Sequence, residues 1–142
     1  MKFNRSFDPK WITERISAEC ITFAEELGKE LCDLDDRNRS GRDGLTTAQI
    51  RNFFGEIKRI QQIGFEKQRT SFLLIKPKLA YAQARHAKNN QKHRILLFRK
   101  YMDLAHDAVT GLSEGKQPEA FQRYVDFLEA VIAYHKAYGG KD

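Results

Sequence analysis

The sequence lacks the features that would place it in several large protein classes. Only two cysteines occur, Cys20 and Cys32, twelve positions apart and without a CxxC motif. This spacing argues against a disulfide-stapled fold and against a zinc site. No apolar run approaches the roughly 20 residues that a membrane helix needs, and the first 20 residues lack the apolar core of a signal peptide. We therefore expect a protein of the reducing cytoplasm, without a membrane partner.

Proline is also scarce, with three residues in 142, and strand-like alternation and internal repeats are absent. Pro9, preceded by Asp8, and Pro118 stand where helices begin. Apolar residues instead recur every three or four positions, which predicts amphipathic helices. We predict a single all-α domain over residues 1–142, a bundle of about five helices that are mostly antiparallel. The predicted buried residues are Ile12, Ile16, Cys20, Phe23, Leu27, Leu31, Ile50, Phe53, Phe54, Ile57, Ile60, Ile95, Phe98, Met102, Ala105, Val109, Phe121, Tyr124, Val125, Leu128, Val131 and Ile132.

Helix boundaries follow from capping signals. The first helix is predicted from about Pro9 to Leu34, and a polar loop with two glycines follows it. A capping box formed by Thr46 and Gln49, inside a staple of Leu45 and Ile50, predicts the start of the second helix. Gly64 is expected to end that helix.

The next segment is interrupted by Pro77, which disfavours the helical conformation at Lys76. We expect either a kink there or a new helix that begins at Pro77. Asn89 and Asn90 predict a turn, and a further helix is expected over residues 91–110.

Acidic residues are missing from one long stretch. Residues 67–102 contain ten Lys or Arg and no Asp or Glu, whereas residues 1–44 and 102–142 each have an excess of acidic residues. The basic central segment, residues 45–101, contains 13 basic residues and only two acidic ones, Glu56 and Glu66. Such an asymmetry indicates an anionic partner.

Helical periodicity predicts where this charge lies. Arg51 and Lys58 are seven residues apart, as are Lys78 and Arg85, so each pair shares a helix face. Tyr81, between Lys78 and Arg85, offers a ring on which a nucleic-acid base can stack. If the two helices pack side by side, the ridges form one basic strip for nucleic-acid phosphates. The simpler alternatives are a solvated charged face and, for Tyr81, a half-buried packing residue.

Catalytic and metal-binding patterns are not found. The four histidines form no HExxH motif, and no glycine-rich phosphate loop or nucleophile elbow occurs. Asp103, His106 and Asp107 lie within about one helical turn, but such sets are more often salt-bridge partners. We expect no enzyme activity, no cofactor and no metal site.

Two segments, Leu45–Arg51 and Pro77–Arg85, resemble a known family. LTTAQIR and PKLAYAQAR, in this order in a small helical chain, are similar to the small helical subunit of type III-A CRISPR–Cas (Csm) effector complexes. The resemblance implies a non-catalytic antiviral-defence subunit that lines the guide–target RNA channel through phosphate and sugar contacts. It implies guide and target RNA and the backbone and large subunits as partners, with self-association as a further expectation.

On that resemblance, Arg51, Lys58, Lys78 and Arg85 are the matching RNA-binding positions. Lys92, Arg94, Arg99 and Lys100 are candidates by charge only. Two other functions stay open at this stage: a helix-turn-helix-like DNA-binding protein, and a scaffold that binds an acidic protein partner. The linker between the two basic helices is long for a helix-turn-helix motif.

Overall fold

The fold is a bundle of helices, as predicted. The computed structural model describes residues 3, 5–32, 47–86 and 92–139, and the side chains of residues 47–49, 85–86 and 92–93 lie outside that description. Six α-helices and no strand occur in these described ranges. The helices are α1 (Lys10–Thr13), α2 (Ala18–Leu31), α3 (Thr47–Ile63), α4 (Arg69–His86), α5 (Lys92–Thr110) and α6 (Gln117–Ala137), with a 3₁₀ turn at Glu114–Lys116.

The prediction of one first helix from Pro9 to Leu34 is wrong. A single short turn, α1, ends at Thr13, and α2 begins only after Ser17. Ser17 is extended, and its side-chain oxygen accepts a hydrogen bond from the Cys20 amide at 3.3 Å, which caps α2. The break lets the N-terminal segment fold back, so that Phe3 and Phe7 pack edge-on against Phe23.

Gly64 ends α3, as predicted. Its φ of +118° is a left-handed conformation that favours glycine, and its amide bonds the carbonyl of Ile60 at 2.9 Å. The capping box at Thr46 and Gln49 and the turn at Asn89 and Asn90 lie outside the described residues and side chains. Here the sequence-based expectations stay predictions.

No new helix begins at Pro77, because α4 runs through it without interruption. One face of this helix is buried both before and after the proline, through Phe72, Ile75 and Leu79. Pro77 and Leu73 lie on the exposed side, where water can satisfy the Leu73 carbonyl that Pro77 has no N–H to bond. Tertiary packing therefore holds together a helix that the local sequence would interrupt.

The C-terminal half follows the predicted pattern closely. Each residue that we assigned to the buried face of α5 is buried, and those of α6 are buried except for the partly exposed Ile132. In α3, Ile50, Ile57 and Ile60 are buried, whereas Phe53 and Phe54 are only partly buried. Phe53 packs edge-on against Phe98 of α5.

Cross-contacts give the directions of the helices. Glu56 pairs with Lys78 while Arg59 bonds Gln68, just before α4, so α4 runs antiparallel to α3. Lys76 pairs with Asp107 while Gln83 bonds Arg99, so α4 also runs antiparallel to α5.

In contrast, α2 and α6 run parallel, because Phe23 contacts Phe127 and Gly28, further along α2, lies beside His135, further along α6. The two helices are in very close contact. A Cβ added at Gly28 of α2 would lie 2.8 Å from the His135 amide nitrogen, so only glycine permits this approach.

The arrangement leaves one side of α4 uncovered. The helix packs against α3 on one flank and α5 on the other, while Phe72 is inserted into the core beside Phe121 and Tyr124. The side of α4 opposite Phe72 faces solvent. Within the described ranges, no helix has the length and apolar character to cross a membrane.

Candidate nucleic-acid interface

The exposed side of α4 carries an aromatic ring among cations. Tyr81 is 67% exposed, the highest exposure among the exposed large apolar and aromatic residues of the described chain. Lys78 lies three residues before it, with a side chain that is 58% exposed. Arg85 follows Tyr81 by four residues in the same helix, although its side chain lies outside the description. At helical spacing these three positions fall on one side of α4.

Lys78 is held by a carboxylate of the neighbouring helix. Its Nζ lies 3.6 Å from Oε2 of Glu56 in α3. Arg59, one turn further along α3, donates to both oxygens of the same carboxylate, at 2.7 Å and 3.4 Å. The Arg59 hydrogen bond, with help from Lys78, holds the pKa of Glu56 below its usual value against the effect of partial burial. Glu56 is therefore ionised at neutral pH.

Lys58 points to the other flank of α3. Its Nζ lies 2.6 Å from Oε1 of Gln61 and 3.9 Å from Glu129 of α6, and Gln61 in turn bonds Gln122 of α6. The exposed Arg51 is seven residues from Lys58 and so lies on the same flank. Although α3 and α4 are adjacent, the Arg51–Lys58 ridge and Lys78 are on opposite sides of α3. The five predicted residues thus form two patches rather than the single strip that side-by-side packing suggested.

Other cations of the basic segment are neutralised by acids from outside the run. Lys76 of α4 pairs with Asp107 of α5 at 2.7 Å, and this hydrogen bond raises the pKa of Lys76. Arg99 pairs with Asp103 at 3.2 Å and also bonds Gln83. The stretch that lacks acids in sequence is therefore partly balanced in space.

Arg94, a candidate RNA contact by charge, is instead a core residue. It is 6% exposed, and its Nη1 lies 3.3 Å from Glu30 of α2. This ion pair joins the end of α2 to the beginning of α5. Lys100 is exposed and lies over the Tyr101 ring, and the side chain of Lys92 is outside the description.

Arg59, the cation closest to Glu56, was not among the predicted site residues. The i,i+3 spacing of Glu56 and Arg59 is a local signal for their pairing, but the approach of Lys78 is a tertiary contact. Also unforeseen are Leu73 and Leu74, which are 50% and 48% exposed on the same helix as Tyr81. The outer side of α4 is thus apolar at its N-terminal half and cationic beyond Pro77.

The one set of residues that suggested catalysis has structural partners. Asp103 and Asp107 form the ion pairs with Arg99 and Lys76, and His106 Nε2 lies 2.8 Å from the Phe72 carbonyl oxygen. Cys20 and Cys32 are buried free thiols, and burial raises their pKa values to about 12 and about 11. Among the described residues, no group of three or more His, Cys, Asp or Glu is placed to hold a metal ion.

Comparison with known proteins identifies the family. No curated protein and no solved structure matches the chain. A family model described as Csm2 Type III-A matches residues 17–141, which is most of the chain and includes both patches. The chain therefore belongs to the Csm2 family, the small subunits that assemble with other Csm proteins into type III-A CRISPR effector complexes.

Proposed function

We propose that this chain is a non-catalytic subunit that binds guide and target RNA through phosphate and sugar contacts and lines the RNA channel of its complex. The observation that carries the proposal is Tyr81, exposed on α4 between two basic positions. An aromatic ring flanked by cations suits a single strand, because bases stack on the ring and phosphates meet the charges.

RNA-binding residues in this proposal are Arg51, Lys58, Lys78, Arg85 and Tyr81. Because they form two patches on opposite flanks of α3, each patch meets a different stretch of RNA. Neither patch requires a particular base, so sequence is read by pairing between guide and target.

The absence of catalysis is part of the proposal. Its support is that Asp103, Asp107 and His106 all have structural partners. Carboxylates held by Arg and Lys are ion-pair partners, within α5 for Asp103 and between α4 and α5 for Asp107, rather than groups poised to move protons.

A second role of α4, contact with another protein, is suggested by the exposed Leu73 and Leu74. Side chains of this size exposed on consecutive positions indicate a contact with another protein surface. They suit a neighbouring subunit of the complex or a second copy of this chain, which would account for self-association. Sedimentation of Leu73→Ser/Leu74→Ser beside wild type tests this, and an unchanged size distribution together with normal complex assembly rejects it.

The RNA-binding proposal is tested with the isolated chain and single-stranded RNA of mixed sequence. Affinity should fall as salt rises, and Lys78→Ala should flatten the log-affinity against log-salt slope by about 0.7. Tyr81→Ala should weaken binding by about 1–3 kcal/mol with an unchanged slope, because stacking carries no charge.

Lys136→Ala is the control, since Lys136 is an exposed cation near the end of α6, remote in sequence from both patches. It should change neither property. If Lys78→Ala and Tyr81→Ala bind like wild type, the α4 face is not the RNA surface. A preference for one duplex DNA sequence would instead support a DNA regulator, and binding only to an acidic protein would support a scaffold.

A further inference from the structure

The contact between Glu56 and Lys78 has a consequence for RNA affinity. We propose that Glu56 is an internal counter-ion that competes with RNA phosphate for Lys78 and thereby lowers the RNA affinity of the α4 face. The inference rests on the proposed function, since it concerns the same surface. It adds a residue of opposite charge that no RNA-binding pattern would select.

Unequal contacts around Glu56 identify which cation is able to leave. Arg59 binds the carboxylate through two nitrogens, at 2.7 Å and 3.4 Å, and its third nitrogen bonds Gln68 at 3.2 Å. Lys78 approaches one oxygen at 3.6 Å, a looser contact from a more exposed side chain. A bidentate Arg–carboxylate pair is the stronger of the two arrangements.

Release of Lys78 therefore leaves Glu56 satisfied. The carboxylate is 27% exposed and keeps its bidentate partner when the ammonium turns toward a phosphate. The exchange replaces one ion pair of Lys78 by another. Lys78 therefore contributes less RNA-binding free energy than an unpaired lysine would. Arg59 stays in place as a second positive charge beside the phosphate.

Charge explains the expected direction. The net charge of this group is +1, because the Glu56 carboxylate cancels one of the two cations, Arg59 and Lys78. A phosphate that approaches Lys78 also approaches the Glu56 carboxylate and is repelled by it. Substitution by the neutral, similarly shaped glutamine removes both the competition and the repulsion, and the amide oxygen still accepts from Arg59.

The experiment measures binding of mixed-sequence single-stranded RNA at low salt, with Glu56→Gln, Lys78→Ala and the double variant. Glu56→Gln should tighten binding about two- to fivefold, the size of one exposed ion pair. In the Lys78→Ala background the same change should have much less effect. Glu66→Gln is the matched control, because it removes one negative charge from the exposed turn after α3.

Each outcome decides the question. Tightening by Glu56→Gln that exceeds that of Glu66→Gln and depends on Lys78 supports the inference. Equal effects of the two glutamines, weaker binding, or tightening that persists without Lys78 overturns it. If Lys78→Ala and Tyr81→Ala weaken binding while Glu56→Gln behaves as the control, the counter-ion role fails and the RNA surface stands. If none of the variants changes binding, both fail. A melting temperature for each variant checks that it is folded.

Discussion

His106 of α5 stacks on Phe72 of α4, with ring centroids 4.3 Å apart, and its Nε2 lies 2.8 Å from the carbonyl oxygen of that same residue. The contact fixes α4 to α5 five residues before Pro77. His106 is buried, and its Nδ1 has no hydrogen-bond partner among the described residues. A second proton on the ring would therefore be placed where nothing accepts it.

This relationship predicts a loss of stability in mild acid. Burial lowers the pKa of His106 from its usual value near 6.5, although the Phe72 carbonyl and the charges of Asp107 and Asp103 oppose the shift and Lys76 adds to it. The folded state then binds the proton less well than the unfolded chain. The contribution of His106 to stability is complete above the unfolded pKa and is lost as pH falls below it, toward the folded pKa.

The measurement is the melting temperature of wild type and His106→Gln between pH 7.5 and pH 5. Wild type should lose more stability than the variant over this window, because glutamine does not titrate. A parallel decline of the two curves would show that other groups cause the acid sensitivity.

Gly28 gives a prediction about helix packing. Gly28→Ala adds a methyl group 2.8 Å from the His135 amide nitrogen and from Cβ of Tyr134. Because one contact is with backbone, the parallel helices α2 and α6 must separate, at a cost of roughly 1–3 kcal/mol. Urea unfolding measures it.

Gly55→Ala is the control for this substitution. A methyl group there meets no atom within 4 Å, and the residue lies in the middle of α3. Alanine should stabilise the protein by about 0.5–1 kcal/mol, since it is the better helix former. A Gly28→Ala protein as stable as Gly55→Ala would refute the close contact of α2 and α6.

Arg94 should matter for stability and not for RNA. Arg94→Ala leaves the Glu30 carboxylate, whose side chain is only 10% exposed, without this cation and should cost roughly 3–5 kcal/mol of unfolding free energy. The exposed Lys100→Ala should change stability by less than about 0.5 kcal/mol. Denaturant unfolding of both proteins makes the comparison. An Arg94→Ala protein of wild-type stability with weaker RNA binding would reverse our assignment of Arg94.

What the sequence predicted well is local. Gly64 and Pro118 mark a helix end and a helix start, and the spacing of Ile95, Phe98 and Met102 identified the buried side of α5. Such signals depend on neighbouring residues alone. The three-residue spacing of Lys78 and Tyr81 likewise predicted that they share one face of a helix.

What the sequence could not predict depends on tertiary contacts. The stretch 67–102 has no acid in its own sequence, yet Glu56, Glu30 and Asp107 reach it from other helices or from beyond its end. The continuity of α4 through Pro77 also follows from packing that no local pattern contains. The break before α2 does have a local signal, the Ser17 cap, which the longer apolar periodicity obscured. That Lys58 and Lys78 lie on opposite sides of α3 follows only from their contacts, since Lys58 lies near Glu129 of α6 and Lys78 pairs with Glu56.

Target-RNA capture by the assembled complex tests the central proposal most directly. Complexes reconstituted with wild-type chain, with Arg51→Ala/Arg85→Ala, or with the control Lys116→Ala/Lys136→Ala are compared for binding of a matched target RNA across salt concentrations. We predict a folded, assembled double variant at Arg51 and Arg85 with reduced capture and a flatter salt dependence, and a control equal to wild type. Normal capture with an unchanged salt slope in the Arg51→Ala/Arg85→Ala complex would contradict RNA binding by these two patches.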